Sequence, residues 1–161
     1  RMTGDAEGEV CIRGDNVTPG YEKNPTANKS SFTNGWFRTG DQGFFDGDGY
    51  LKITGRLKEI INRGGEKVSP LEVDNVLMEH PAIQQVVTFA VADRMLGEEI
   101  GAAVVLADGG ELDAAGLRAY AETHLAKFKI PKHIVFLDEI PKGATGKLQR
   151  IGLAQKLGLE D

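Results

Sequence analysis

Apolar and polar residues alternate over Glu9-Val10-Cys11-Ile12-Arg13, a pattern that predicts a strand. Within it Cys11 reads as a small buried hydrophobe. Pro25 to Phe32 predicts a short helix, capped by Asn24 and opened by Pro25, whose missing N–H is harmless at the first helical position. Trp36-Phe37-Arg38 then leads into a Thr39-Gly40-Asp41 turn. Phe44-Phe45, the tight Asp46-Gly47-Asp48-Gly49 turn and Tyr50 to Thr54 predict a hairpin. This first part is β-rich and reads as the end of a larger sheet.

The pattern changes after Gly55. Glu59 to Arg63, a Gly64-Gly65 turn and Lys67-Val68 predict a second hairpin. Ser69-Pro70-Leu71-Glu72 predicts a helix start, with Ser69 as cap and Glu72 completing a capping box. Val73, Val76 and Leu77 follow at helical spacing, and Pro81 ends the helix. Val86 to Val91 and Ala102 to Leu106 read as strands flanking a charged connection that contains Gly97. Asp113 caps a helix whose apolar stripe is Leu117, Tyr120, Ala121 and Leu125; His124 in its last turn reads as a helix-end residue. Ile134 to Leu137 is another strand, and a final short helix covers Ile151 to Leu157. The sum from about residue 58 onward is a small α+β domain of hairpins, a short sheet and about three helices. The boundary between the parts falls in Thr54-Gly55-Arg56-Leu57-Lys58.

Composition narrows the function classes. At 40% hydrophobic and 27% charged the chain matches ordinary globular usage, and no apolar stretch reaches the length of a membrane span. The opening Arg1-Met2-Thr3-Gly4-Asp5 lacks the apolar centre of a signal peptide. One cysteine excludes an intrachain disulfide framework and fits a reducing compartment. A net charge of −5 argues against a nucleic-acid binder. The charge is uneven: from Lys127 to Lys156 there are seven Lys/Arg and only two acids. Such an excess is either a solvated face or a greeting for an anionic ligand.

Several short matches carry no function. Arg13-Gly14-Asp15 follows a strand, and the sequons at Asn16 and Asn28 have no meaning without secretion. Gly143-Ala144-Thr145-Gly146-Lys147-Leu148 is not a phosphate-binding P-loop, because Pro141 lies nearest the place of the first glycine and Leu148 replaces the magnesium-binding hydroxyl.

Three segments remain, in a fixed order. Trp36-Phe37-Arg38-Thr39-Gly40-Asp41 places a carboxylate beyond a strand, where its oxygens could hold two adjacent hydroxyls, as on a ribose. Gly55 to Pro70 combines cations, a glycine pair and a capped helix. Pro141 to Arg150 sets Lys147 in a glycine loop. Taken singly, these are a turn-stabilising aspartate, a strand-turn-helix and a solvated lysine.

Taken together they resemble the late core motifs of the adenylate-forming superfamily, which includes acyl-CoA synthetases, plant coumarate-CoA ligases, luciferase and peptide-synthetase adenylation domains. Gly8-Glu9-Val10-Cys11-Ile12-Arg13-Gly14 with Gly20-Tyr21 resembles the preceding motif, so the likeness runs along the whole chain. Ile61-Asn62-Arg63-Gly64-Gly65-Glu66-Lys67-Val68-Ser69-Pro70 is similar to the oxalyl-CoA synthetase (oxalate-CoA ligase) branch; Asn62 stands where coumarate-CoA ligases and luciferase carry lysine. No carrier-type domain begins before Asp161, which reads against the peptide-synthetase members.

The resemblance implies that residues 1–57 end a large N-terminal AMP-binding domain and that 58–161 are a mobile C-terminal lid. It implies an AMP-forming acid-CoA ligase that adenylates a small carboxylate with ATP and passes the acyl group to CoA, with oxalate as the first acid. The alternatives are a medium-chain or aryl (coumarate-like) acyl-CoA synthetase, or an excised non-catalytic lid or interaction module. By the same resemblance Lys147 is the adenylation lysine, Asp41 and Arg56 bind the nucleotide, Lys58 is the hinge, and Gly64, Gly65 and Glu66 face the CoA channel. Mg2+ ligands belong to the upstream domain, which is also the implied partner, and the fragment alone is expected to be inactive. The implied location is cytoplasmic, or peroxisomal if a C-terminal signal has been trimmed.

Overall fold

A computed structural model of the protein describes residues 6–143 and 146–159. The Arg1 to Asp5 opening, Ala144 and Thr145 of the lysine loop, and the closing Asp161 lie outside the described residues. The chain divides into two compact units, Arg1–Lys58 and Glu59–Asp161.

The first unit is an antiparallel sheet. Strands β1 (Gly8–Ile12), β2 (Phe32–Thr33), β3 (Trp36–Phe45) and β4 (Leu51–Arg56) are arranged around β3, with helix α1 (Pro25–Ser31) between β1 and β2. Asn24 caps α1 through Oδ1, which accepts the Ala27 N–H at 3.0 Å. The predicted Asp46–Gly49 turn joins β3 to β4: Asp46 Oδ1 accepts the backbone N–H of Asp48 and of Tyr50.

Two expectations fail here. Thr39-Gly40-Asp41 is not a turn that ends a strand but lies inside β3. Gly40 absorbs the irregularity at φ 75°, where a side chain would be strained, and Thr39 Oγ1 ties the bend to β1 by donating to Val10 O at 2.8 Å. Cys11 is exposed rather than buried. Among the described residues β1 pairs only with β3, and the buried hydrophobic ones all lie between Ile61 and Ala154, so alternation at this sheet edge meets no core within the unit.

The second unit is a five-stranded sheet, ordered β6-β5-β8-β7 with β9 beside β8. It contains β5 (Ile61–Arg63), β6 (Glu66–Val68), α2 (Pro70–Met78), β7 (Ile83–Asp93), β8 (Gly97–Leu106), α3 (Ala114–Glu122), a 3-10 turn at Lys127–Lys129, β9 (His133–Phe136) and α4 (Leu153–Lys156). The pairing is antiparallel except for β8 with β9. Ile100, Ala102 and Val104 of β8 pack with Val73, Leu77, Leu117 and Ala121 of α2 and α3. Ala103 and Val105 join Phe89, Ile140, Leu153 and Ala154 in a second cluster. Covered on both faces, β8 reads as a continuous apolar run rather than an alternating one. This is the expected small α+β unit.

The capping box does not form. Ser69 occupies the N-cap of α2, but its side chain makes no cap hydrogen bond. The Glu72 carboxylate instead takes the Lys129 ammonium at 2.5 Å. A charge-assisted bond is stronger than one to a neutral amide, which favours the lysine. Asp113 does cap α3, with Oδ1 accepting the Gly116 N–H at 2.7 Å.

Gly101 is packed against the core. A Cβ there would lie 2.7 Å from the Phe89 ring and 2.9 Å from Val91 Cγ2. Gly101→Ala is expected to cost about 1–3 kcal/mol by overpacking, seen as a lower urea midpoint with an unchanged slope. An unchanged midpoint would show that this face of β8 yields freely.

Candidate functional site

In the first unit Asp41 and Arg56 are register partners across β3 and β4. Arg56 Nε donates to Asp41 Oδ1 at 2.7 Å. Gly40 O accepts the Leu57 N–H at 2.9 Å and continues the pairing beyond β4. Glu9 braces the same bend, accepting from Arg38 Nε at 2.8 Å and from Gly40 N at 3.3 Å. Its hydrogen bonds, then its charge, hold the Arg38 guanidinium above its ordinary pKa. An ionised carboxylate offers about four lone-pair sites, so with one bond to Arg56 the half-buried Asp41 can still accept hydroxyl donors.

Lys58 is exposed and is the last residue of the first unit. In the second unit Gly64 and Gly65 form the two-residue turn between β5 and β6 at φ 60° and 98°, the left-handed geometry such hairpins require. The Gly64 N–H donates to Leu96 O at 2.8 Å. A Cβ on Gly64 would meet Leu96 Cδ2 at 3.0 Å, whereas one on Gly65 would face open space. Glu66 is exposed at the start of β6.

A buried ion pair supports this hairpin. Arg63 Nε and Nη2 donate to Glu99 Oε1 and Oε2 at 2.5 and 3.1 Å. The Glu99 carboxylate is 1% exposed, accepts the Ile100 N–H and lies 3.7 Å from Lys132 Nζ. Burial pushes its pKa up, but the Arg63 bonds, the Ile100 N–H and Lys132 outweigh that and hold it below the ordinary value.

Lys147 lies between β9 and α4 in a loop whose ends are joined. Lys142 and Leu148 form an antiparallel bridge, and the Gly143 N–H donates to Lys147 O at 2.8 Å. Three other lysines of the basic stretch hold carboxylates: Lys129 holds Glu72, Lys132 holds Asp93, and Lys142 holds Glu139 at 2.6 Å, whereas the exposed Lys127 and Lys156 hold none among the described residues. The exposed Lys147 ammonium has no such pair among the described residues.

Beyond Lys147, Arg150 is anchored in the core. Nη1 lies 2.6 Å from Asp74 Oδ2 on α2 and donates to Thr88 O on β7 at 3.0 Å, while Nε donates to Glu59 Oε2 at 3.0 Å. Asp74 is 7% exposed and also accepts the Thr88 N–H at 2.7 Å. Burial pushes its carboxyl pKa up, only partly offset by Arg150 and Thr88.

The fold therefore joins Asp41 to Arg56 and sets Gly64, Gly65 and Glu66 on one hairpin, with Lys147 on a separate loop of the second unit. Among the described residues no hydrogen bond or ion pair links Lys147 to that hairpin. No motif in the sequence marks Glu99, Asp74 or Glu59. Glu99 and Asp74 each carry one visible sign, a charge beside apolar residues: Glu99 directly before the run Ile100 to Leu106, and Asp74 between Val73 and Val76 on a helix. Among the described residues no group of three or more His, Cys, Asp or Glu could hold a metal ion, and no helix is long and apolar enough to cross a membrane.

Residues 72–147 match the AMP-binding enzyme C-terminal domain. The chain is 54% identical to an oxalate-CoA ligase of Arabidopsis thaliana over 92% of its own length and 29% of that protein's. It is 57% identical to a probable CoA ligase, CCL9, of Humulus lupulus, over 89% of this chain and 27% of that one. The structure matches o-succinylbenzoate CoA synthetase of Bacillus subtilis, solved with its acyl-adenylate intermediate, at a TM-score of 0.83 and 37% identity, covering 92% of this chain and 30% of that one. The chain thus spans less than a third of the length of these relatives.

Proposed function

Residues 72–147 make this chain a member of the AMP-binding enzyme C-terminal domain family, and on that premise we propose that it is the closing part of an ATP-dependent acid-CoA ligase acting on oxalate. The substrate carboxylate oxygen attacks the α-phosphorus of ATP, the bond to pyrophosphate breaks, and an acyl-adenylate forms. The thiolate of CoA then attacks the acyl carbon, and AMP leaves.

The observation that carries the reading is the Lys147 ammonium, which holds no carboxylate among the described residues, while Lys142 and Arg150 on either side of it are both paired. Two anions repel as carboxylate and phosphate approach, and a cation between them lowers both that repulsion and the charge developing on phosphoryl oxygens. Asp41 accepts the ribose hydroxyls, and Arg56 fixes the carboxylate and reaches the ribose side. Lys58 is the hinge of a lid formed by 58–161, after residues 1–57 end the large domain. Rotation there exchanges the Lys147 loop for the Gly64-Gly65-Glu66 hairpin, whose open space at Gly65 admits the narrow arm of CoA. The family resemblance places the ligands of Mg2+ in the upstream domain.

Oxalate is favoured by the 54% identity to an oxalate-CoA ligase. The full-length enzyme, given a panel of carboxylates, is expected to release AMP fastest with oxalate in the presence of CoA, and this chain alone to release none. Faster turnover of a medium-chain or aryl acid would overturn the substrate; turnover by the chain alone would overturn the division of labour.

A further inference from the structure

Arg150 holds the part of the second unit that follows Lys147 to three other places at once. Its guanidinium reaches Asp74 on α2, the Thr88 carbonyl on β7, and Glu59, which is the residue after Lys58 and the first of the second unit. The other side of the loop is held by Ile140, 1% exposed in the second apolar cluster. Lys147 therefore projects from a base with one greasy foot and one ionic foot. The ionic foot also grips the segment where the proposed hinge ends.

We propose that Arg150 is a positioning residue for Lys147, tying the foot of the lysine loop through Glu59 to the segment after Lys58, so that a turn at the hinge carries the ammonium with it. The inference rests on the roles read above for Lys147 and Lys58. The Arg150 guanidinium is engaged by Asp74, Thr88 and Glu59, so its role is to hold the loop rather than to meet the substrate. A planar guanidinium suits the task because it directs N–H groups to three acceptors in one fixed fork, whereas a lysine ammonium in its place keeps the charge and loses the geometry. Misplacement by about an ångström is enough to slow a positioned reaction up to a hundredfold.

The test uses the full-length enzyme and its two half-reactions. Arg150→Lys keeps a cation beside the buried Asp74. It is expected to slow oxalate-dependent pyrophosphate exchange about ten- to a hundredfold while thioester formation from supplied oxalyl-adenylate stays at the wild-type rate. Glu59→Gln, at a partly exposed position, is expected to show a smaller loss confined to the same half-reaction. The double variant Lys147→Ala/Arg150→Lys should be no slower than Lys147→Ala, because a positioning residue has nothing left to position. Equal losses in both half-reactions, or a further loss in the double variant, would mark Arg150 as merely structural and overturn the proposal. If Arg150→Lys does not fold, Glu59→Gln decides: a loss in exchange alone supports the tie, and unchanged exchange overturns it. Should Lys147→Ala itself retain exchange, the parent reading of Lys147 fails instead.

Discussion

Lys147→Ala in the full-length enzyme is expected to lower adenylate formation by at least about 10²–10³-fold, the scale set by removing one group aimed at developing transition-state charge. Thioester formation from supplied acyl-adenylate should be spared. The asymmetry follows from chemistry. Only the first half-reaction drives a carboxylate onto a triphosphate, and only there does an added positive charge relieve repulsion between two anions. In the second, CoA meets an acyl carbon whose adenylate is already formed. The structure leaves the Lys147 ammonium without a carboxylate among the described residues, while Lys142 in the same loop is held by Glu139 at 2.6 Å. No pair among the described residues has to break before Lys147 engages a ligand. Pyrophosphate exchange measures the first step, and near-normal exchange in the variant would remove Lys147 from the site.

Arg63→Met is expected to destabilise the second unit by about 3 kcal/mol. That is the lower end of the range for removing one partner of a buried pair, because Lys132 remains 3.7 Å from the stranded carboxylate. The effect depends on pH in a definite direction. The pKa of Glu99 in the folded protein lies below its ordinary 4.5, so the stabilisation is complete above that value and is lost as pH falls through the lower folded value. In Arg63→Met the pairing is gone and burial dominates. The variant's deficit should be largest at neutral pH and narrow in acid, where Glu99 becomes neutral. Urea melts of both proteins across that range test this, and a pH-independent deficit would mean that the pair contributes by packing alone.

The legible parts of the molecule were those set by local pattern. Asn24-Pro25 and Asp113 announce their helices, Asp46-Gly47-Asp48-Gly49 its hairpin, and the apolar runs of β7 and β8 the central sheet. The errors arose where a distant residue competed with a near one. Glu72 had a backbone amide close by and a lysine far away in sequence, and the lysine prevailed because it is charged. Thr39-Gly40-Asp41 has the residues of a turn, yet Arg38 and Gln42 on either side of it pair with β1 and Asp41 pairs with β4, so the segment is a bend inside β3 rather than its end. Asp41 and Arg56 were each visible as candidates, but their direct contact across two strands depends on register. The Arg150 anchor was the least visible part, since Glu59, Asp74 and Thr88 come from separate elements that only the folded unit brings together.

The exposure of Cys11 has a practical consequence. Within this chain it is the sole thiol, it is accessible to solvent, and it sits on an edge strand away from Asp41 in sequence. A maleimide dye would attach there and nowhere else in these residues. A second cysteine introduced at an exposed position of the other unit, such as Met95 at 93% exposure, would complete a donor–acceptor pair. Single-molecule energy transfer between the two would then follow the separation of the units in time as nucleotide, acid and thiol are added in turn.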